Sequence, residues 1–183
     1  KVFEQGPARM TYGAYDMMIE GKGFFQVQKG DGGPIYYTRV GAFHVDPGGR
    51  LTLTSGARLL PEFQIPPNAM NVAVSGTGEV KATLPGGQEQ VLGQIPLFSF
   101  VNDEGLMAHG AGLFAATSAS GDPLQGAPGD NGMGLLQLGA LEGSNVNVAN
   151  SMVDMITTQR AYEMNTKMLS TADSMMQSLV NVK

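Results

Sequence analysis

Two hydrophobic periods divide the chain. From Gly21 onward apolar residues come in short, often alternating runs bounded by Gly, Pro, Asp or Ser. Gly23-Phe24-Phe25-Gln26-Val27-Gln28 predicts a strand, because aromatic and β-branched side chains suit a pleated, half-buried surface. Lys29 to Pro34 carries turn chemistry, and Ile35-Tyr36-Tyr37-Thr38-Arg39 answers as a hairpin partner. Ala42 to Val45, the turn Asp46-Pro47-Gly48-Gly49, and Arg50 to Leu53 predict a second hairpin, followed by a strand at Arg58-Leu59-Leu60. Asn71 to Ser75, Glu79 to Leu84, Gln90 to Leu92 and the apolar run Ile95 to Val101 continue the pattern. Residues 102–132 loosen into sequence rich in Gly, Pro, Asp and Ser, and Met133 to Leu141 reads as a last strand. Short strands at this spacing predict an antiparallel all-β outer domain over residues 20–142, barrel-like or sandwiched. Residues 1–19, with Gly6, Pro7 and Gly13, read as an extended connector.

The second period fills residues 143–183. From Ser144 the chain runs to its last residue without Gly or Pro, although it holds 26 Gly and 10 Pro in all. Ser144 or Asn147 can cap a helix by accepting from its first free N–H groups. Ala149, Val153 and Ile156, then Met164, Met168, Ala172, Met175 and Leu179, recur every three or four positions. A neighbouring row runs Val148, Met152, Met155, Tyr162, Leu169, Met176 and Val180. Thr158, Glu163, Lys167, Ser170, Ser174 and Gln177 read as the polar side, with Glu163 and Lys167 in the favourable i, i+4 order. Gln159, Arg160, Thr166 and Asp173 interrupt the rows, and polar groups so placed fix register and partner choice. A helix of about 33 residues is roughly 50 Å long. A β-domain of about 120 residues has a radius of gyration near 14 Å, so the alternative of a helix folded back over its own domain leaves much of it uncovered. The predicted class is α+β, with a coiled-coil-like C-terminal helix. Its expected packing surface is Val148, Met152, Val153, Met155, Ile156, Gln159, Arg160, Tyr162, Met164, Met168, Leu169, Ala172, Met175, Met176 and Leu179.

Composition narrows the partners. At 183 residues and 42% hydrophobic the chain supports a folded core, and a net charge of -5 without any Lys/Arg run excludes nucleic acid as the main partner. The same balance disfavours anionic lipid, and no apolar run reaches the roughly 20 residues of a membrane span. There is no Cys, hence neither a disulfide nor a thiolate zinc site. Lys1-Val2-Phe3-Glu4-Gln5 resembles no signal peptide, and the expectation is that natural sequence precedes Lys1. His44 and Asp46, two apart on a strand, could share a face as a weak metal site, but polar residues beside a turn read as surface. His109 lies in the Gly-rich stretch Met107 to Gly112. No H-E-x-x-H, EF-hand, G-x-S-x-G or P-loop string occurs. No catalytic residue, cofactor, metal or small-molecule substrate is expected.

Four strings then carry a family resemblance. They are Gly21-Lys22-Gly23-Phe24-Phe25-Gln26-Val27, Tyr37-Thr38-Arg39-Val40-Gly41-Ala42-Phe43, Leu141-Glu142-Gly143-Ser144-Asn145-Val146-Asn147-Val148, and Met152 through Asn165 with its Gln159-Arg160-Ala161-Tyr162-Glu163 core. Together they resemble bacterial flagellar rod and hook proteins, the axial-protein family, over essentially the whole chain. Gly23, Phe24, Phe25, Ser144, Asn145 and Val146 are the family-motif positions. The β-region lacks the large insertion common in hook proteins, so the resemblance leans to distal rod members, with proximal rod and hook proteins the alternatives. Val40 stands where the family usually has Asp, Gly143 where a larger residue is common, and Ala149-Asn150-Ser151 replaces a typically acidic stretch.

The resemblance implies a structural subunit that self-assembles into a hollow helical tube transmitting torque. It also implies an N-terminal helix, absent from this sequence, pairing with the C-terminal one. Implied partners are identical subunits in a homopolymer, proximal rod proteins, the hook protein, the P-ring and L-ring bushing, and the flagellar type III export apparatus. The implied place is the basal body from periplasm to outer membrane, reached without a cleaved signal peptide. A reading of another class is a β-rich adhesin or ligand-binding module with a stalk helix, which would need aromatic platforms from Tyr12, Tyr15, Tyr36, Tyr37 or Tyr162. An enzyme would need a pocket joining His44 or His109 to a carboxylate and a nucleophile.

Overall fold

The computed structural model describes residues 3–146 and 148–180, with helix side chains described from Ala149 to Gln177. In chain order the strands are β1 (Ala8–Met10), β2 (Met17–Glu20), β3 (Phe25–Lys29), β4 (Ile35–Thr38), β5 (Phe43–Val45), β6 (Leu51–Leu53), β7 (Ala57–Leu59) and β8 (Asn71–Val74). They continue as β9 (Glu79–Thr83), β10 (Glu89–Gln94), β11 (Leu97–Ser99), β12 (Met107–Gly110), β13 (Leu113–Ala115), β14 (Leu124–Gly126), β15 (Leu135–Leu138) and β16 (Ala140–Glu142). The helix α1 spans Val148–Val180. The expected α+β class, antiparallel sheets with one C-terminal helix, is what the described residues form.

The largest sheet has 7 strands in the order β12-β13-β4-β3-β7-β6-β5. Its centre is the first predicted hairpin, with Val27 opposite Tyr36 and Gln28 opposite Ile35. The second predicted hairpin forms its far edge, Phe43 facing Leu53. The alternating runs between Asn71 and Gln94 build a separate 3-stranded sheet, β10-β9-β8. Three 2-stranded ladders, β1-β16, β11-β14 and β15-β2, complete the set. Each of them joins strands far apart in sequence.

Residues 102–132 depart from the loose stretch their composition suggests. They hold β12, β13 and β14, and β13 pairs with β4 while β14 pairs with β11. These strands are 3 or 4 residues long. Too short to show a period, they are held by partners contributed from elsewhere. The single strand expected at Met133 to Leu141 is likewise two. Gly139 at φ 74 turns the chain between β15 and β16, which pair with β2 and β1. That left-handed conformation is nearly cost-free only for glycine.

The chain divides into two compact units, Lys1–Ser144 and Asn145–Lys183. Within the first, Phe24, just ahead of β3, and Phe25, its first residue, feed opposite faces. Phe25 enters the main cluster with Val27, Leu59, Ile95 and Leu97, all fully buried or nearly so. Phe24 points the other way, into an aromatic cluster with Tyr37, Phe98, Phe100 and Leu106, and Phe3 and Phe114 pack against it. Its ring meets those of Phe3, Phe100 and Phe114 edge-on at 5.6, 5.9 and 6.3 Å. Edge-to-face pairs add about 0.5–1.5 kcal/mol beyond area burial.

Candidate assembly interface

The second unit is built on one helix. Every helix side chain described is exposed. Met152, Val153, Met155 and Ile156 are 50–62% exposed, and Met164, Met168, Leu169, Met175 and Met176 are 63–70% exposed. Tyr162 is exposed as well, as are Gln159, Arg160 and Ala172. The side chains of Val148 and Leu179, also expected at the packing surface, lie outside the described residues, as does the candidate cap Asn147. The six methionines between 152 and 176 are unbranched thioethers that can fill irregular gaps.

The threonine hydroxyls described on this helix are already satisfied. Thr157 and Thr158 donate to the Asp154 carbonyl at 2.9 and 2.7 Å, Thr166 to that of Glu163 at 2.8 Å, and Thr171 to that of Lys167 at 2.8 Å. A side-chain hydroxyl bonded back to its own helix can be covered without leaving a donor unmet.

The two apolar rows are not two parallel stripes. At about 100° per residue, Ala149, Met152, Val153, Met155 and Ile156 occupy one arc of roughly 160°, centred between Met152 and Ile156. Met164, Met168, Leu169, Ala172, Met175 and Met176 occupy an arc of about 140° centred nearly opposite. The polar residues reverse with them. Asn150, Asp154, Thr157 and Thr158 lie opposite the first apolar arc, whereas Glu163, Lys167, Ser170, Ser174 and Gln177 lie opposite the second. Thr158 therefore stands across the helix from the polar side it was expected to join. The change falls at Thr157 to Ala161, and Gln159 and Arg160 stand at the switch.

The family-motif positions of the β-unit are structural. Phe24 and Phe25 are buried in separate clusters, and Gly23, at φ 134, leaves no free room for a Cβ beside the Leu97 side chain. Ser144, Asn145 and Val146 are exposed.

Sequence reasoning left Arg39 and Glu142 without a role, although both lie in the strings quoted above. Arg39 Nε donates to Glu142 Oε2 at 2.8 Å, with the two side chains only 14% and 13% exposed. The guanidinium also donates to the Gly23 and Gly21 carbonyls, each at 3.1 Å. Glu142 Oε1 accepts the Gly6 N–H at 2.9 Å, and the Gly143 N–H donates to the Pro7 carbonyl at 2.8 Å. One ion pair thus ties the segment entering the β-unit to the segment leaving it. The available signal was a single cation ending an otherwise apolar strand.

The other chemical candidates disperse. His44 is exposed, while Asp46 is turned into its own hairpin, where it accepts from the Gly48 and Arg50 N–H groups at 2.7 and 2.9 Å. The backbone N–H of Arg50 is the chief cause that holds the Asp46 carboxyl below its ordinary range. Arg58 does the same to Asp31 through a side-chain hydrogen bond. The His109 ring lies 4.9 Å from that of Tyr36. Tyr36 and Tyr37 are 6% and 5% exposed, which removes them as open sugar-stacking platforms. Among the described residues no helix is long and apolar enough to cross a membrane.

Comparison with known proteins gives a consistent result. Residues 137–182 match the family "Flagellar basal body rod FlgEFG protein C-terminal", and residues 18–82 match "Flagellar hook protein FlgE/F/G D1 domain". The flagellar basal-body rod protein FlgG of Buchnera aphidicola is 46% identical over 180 residues, covering 98% of this chain and 69% of the relative. The FlgG of Borreliella burgdorferi is 39% identical over 186 residues, covering 100% of this chain and 70% of the relative. The flagellar hook protein FlgE of Salmonella typhimurium is 41% identical over 118 residues, covering 64% of this chain but 29% of the hook protein.

Proposed function

The chain belongs to the flagellar hook and basal-body rod FlgE/F/G family, and from that premise we propose that it is a structural subunit of the distal rod. Its place is the flagellar basal body, and its role is structural. In this reading copies assemble into a hollow helical tube that carries torque from motor to hook, spanning the periplasm to the outer membrane. Residues 1–19 serve as connector, 20–142 as the outer β-domain and 143–183 as the polymerisation core. Its neighbours are identical subunits, proximal rod proteins, the hook protein and the P-ring and L-ring bushing, and it reaches them through the type III export apparatus without a cleaved signal peptide.

One observation carries the reading. A 33-residue helix with apolar side chains on both of its sides forms a unit of its own, in a chain similar to rod proteins along nearly its full length. A helix that is apolar on opposite sides is stable only when both are covered. The rod is favoured over the hook because the similarity takes in 69% of a FlgG but only 29% of a hook protein.

The test is assembly. Ile156→Asp and Met168→Asp each place a carboxylate at the centre of an apolar arc, and each is expected to abolish tube formation by the full-length protein in electron micrographs. The melting temperature of the β-unit should stay within about 1 °C, since distant, independent sites do not couple. Tubes formed by either variant would refute the proposed packing role of the helix. Loss of β-structure would instead favour a helix packed on its own domain.

A further inference from the structure

In the β-unit, Tyr12 stands in solvent rather than in either cluster, with 85% of its surface exposed. Its backbone is left-handed at φ 56, a conformation that a bulky side chain adopts only at a cost. The turn is nonetheless held firmly. The Thr11 and Tyr12 N–H groups both donate to the Gly139 carbonyl, at 2.8 and 2.9 Å, and the Gly139 N–H donates to the Asp16 carbonyl at 2.7 Å. Thr11 Oγ1 donates to Asp16 Oδ2 at 2.5 Å. Met10, two residues away on β1, is 49% exposed. A large residue that strains the backbone and buries little adds nothing to the unit's own stability, so its gain lies in a contact beyond the unit.

The same unit carries a cleft that suits such a ring. Its volume is about 710 Å³, within the range of sites that take small ligands, and Tyr15, Val45, Pro47, Ile65, Pro66 and Pro67 are among the residues lining it. The polar groups of its walls are already engaged. The Gly49 N–H donates to the Asp46 carbonyl at 2.9 Å, the Ile65 N–H to that of Gly49 at 2.8 Å, and the Ala69 N–H to that of Pro66 at 3.0 Å. The Asp46 carboxylate accepts from Gly48 and Arg50, and the three prolines have no N–H to lose. A ring therefore enters without stranding any of those donors. Proline against an aromatic ring is also the pairing by which Pro-rich segments are recognised.

We propose that Tyr12 of one copy docks in the Pro47–Pro67 cleft of another copy, as an anchor between β-units. This rests on the polymer reading above and adds to it a contact outside the helix. Two observations make a second copy the occupant. A protruding ring and a receiving cleft on one molecule are complementary parts of a contact between copies. Gly139, whose carbonyl holds the Tyr12 turn, lies in the 137–182 segment that matches the family's C-terminal model, so the knob is fixed to the part of the chain shared with the rod and hook relatives.

Full-length protein with photoreactive p-benzoylphenylalanine in place of Tyr12 is mixed with isotope-labelled unsubstituted protein, assembled and irradiated. The expected cross-links join labelled to unlabelled chains and map to residues 45–49 or 64–69. Cross-links only within one chain, cross-links only elsewhere, or tubes without any cross-link would overturn the inference while leaving the polymer reading intact. Where that variant fails to assemble, the same reagent in place of Gln64, with cross-links sought at residues 10–13, repeats the test. Tyr12→Gly in the full-length protein gives a second readout, in which stability and assembly move in opposite directions. Glycine adopts the left-handed turn freely, so the melting temperature of the β-unit should rise by about 2 °C. Loss of the anchor should raise the protein concentration needed for assembly at least about tenfold. Assembly at the unsubstituted concentration would overturn the docking. Gln64→Trp, at the exposed rim, fills the cleft and should raise that concentration similarly, with the melting temperature unchanged. If the unsubstituted protein forms no tubes, the polymer reading falls and the inference with it.

Discussion

Replacing Glu142 with Ala removes the acceptor that joins the two ends of the β-unit. The carboxylate receives Arg39 Nε at 2.8 Å and the Gly6 N–H at 2.9 Å. On an open surface such a pair would be worth about 0.2–1 kcal/mol. Here the side chains are only 14% and 13% exposed, and removing one partner leaves a guanidinium largely shut off from water. Breaking a fully buried pair costs about 3–5 kcal/mol. Arg39 keeps its bonds to the Gly21 and Gly23 carbonyls, so the lower end, about 3 kcal/mol, is expected. In a unit of this size each kcal/mol moves the midpoint by about 2–4 °C, giving a fall of about 9 °C in calorimetry. Glu142→Gln, which keeps an acceptor, should recover about half of the loss. Hydrogen exchange adds a local readout, because the Gly6 amide should lose protection before the amides of β3. A shift below about 2 °C, or a loss that disappears in 0.5 M salt as a screened surface pair would, refutes the reasoning.

Other perturbations probe independent parts of the fold. A Cβ on Gly41 would lie on the Met17 carbonyl, and the Met17 N–H donates back to the Gly41 carbonyl at 3.0 Å, so Gly41→Ala should destabilise the β-unit by at least about 2 kcal/mol in urea melts. Phe24→Ala opens a cavity among Phe3, Phe100 and Phe114 and should cost about 3–5 kcal/mol, with loss of near-ultraviolet aromatic dichroism. Asp46 and Asp31 have carboxyls held below their ordinary range in the fold, so the unfolded chain binds their protons first as pH falls. Their contribution is complete above the ordinary value of 3.8 and is lost as pH drops through the lowered folded values. Asp46→Asn with Asp31→Asn should therefore flatten the fall in melting temperature between about pH 5 and about pH 2, and an unchanged slope would remove both groups from the account.

What the sequence showed was what local periods encode. The hairpins β3–β4 and β5–β6 and the sheet β8–β9–β10 each join neighbours through a short glycine-bearing turn, so alternation and turn chemistry occupy one short window. The ladders β1–β16, β11–β14 and β13–β4 have no such window. Their strands are 3 or 4 residues long and draw their stability from partners distant in the chain. Phe24 and Phe25 were legible as a strand, but not as members of two separate clusters. That division depends on what β11 and the Phe3 segment bring to the second face.

The helix was legible in extent, and its face reversal was concealed by the way helical rows are traced. A step of three residues moves about 60° one way around the helix and a step of four about 40° the other, so a stripe stays in place only where the two nearly balance. From Ala149 through Val153, Ile156, Met164, Met168, Ala172, Met175 and Leu179, fours outnumber threes. The row therefore winds around the cylinder while every step still looks like a contact. Placed on the helix itself, residues before Thr157 and after Ala161 fall on opposite sides, and the polar positions move with them. Two strings that resemble the same family thus do different physical jobs. Gly23-Phe24-Phe25 builds the interior of the β-unit, whereas Thr157-Thr158-Gln159-Arg160-Ala161 marks where the helix exchanges one side for the other. Substitutions in the first should be read in melting temperature, and substitutions in the second in the geometry of whatever the helix assembles.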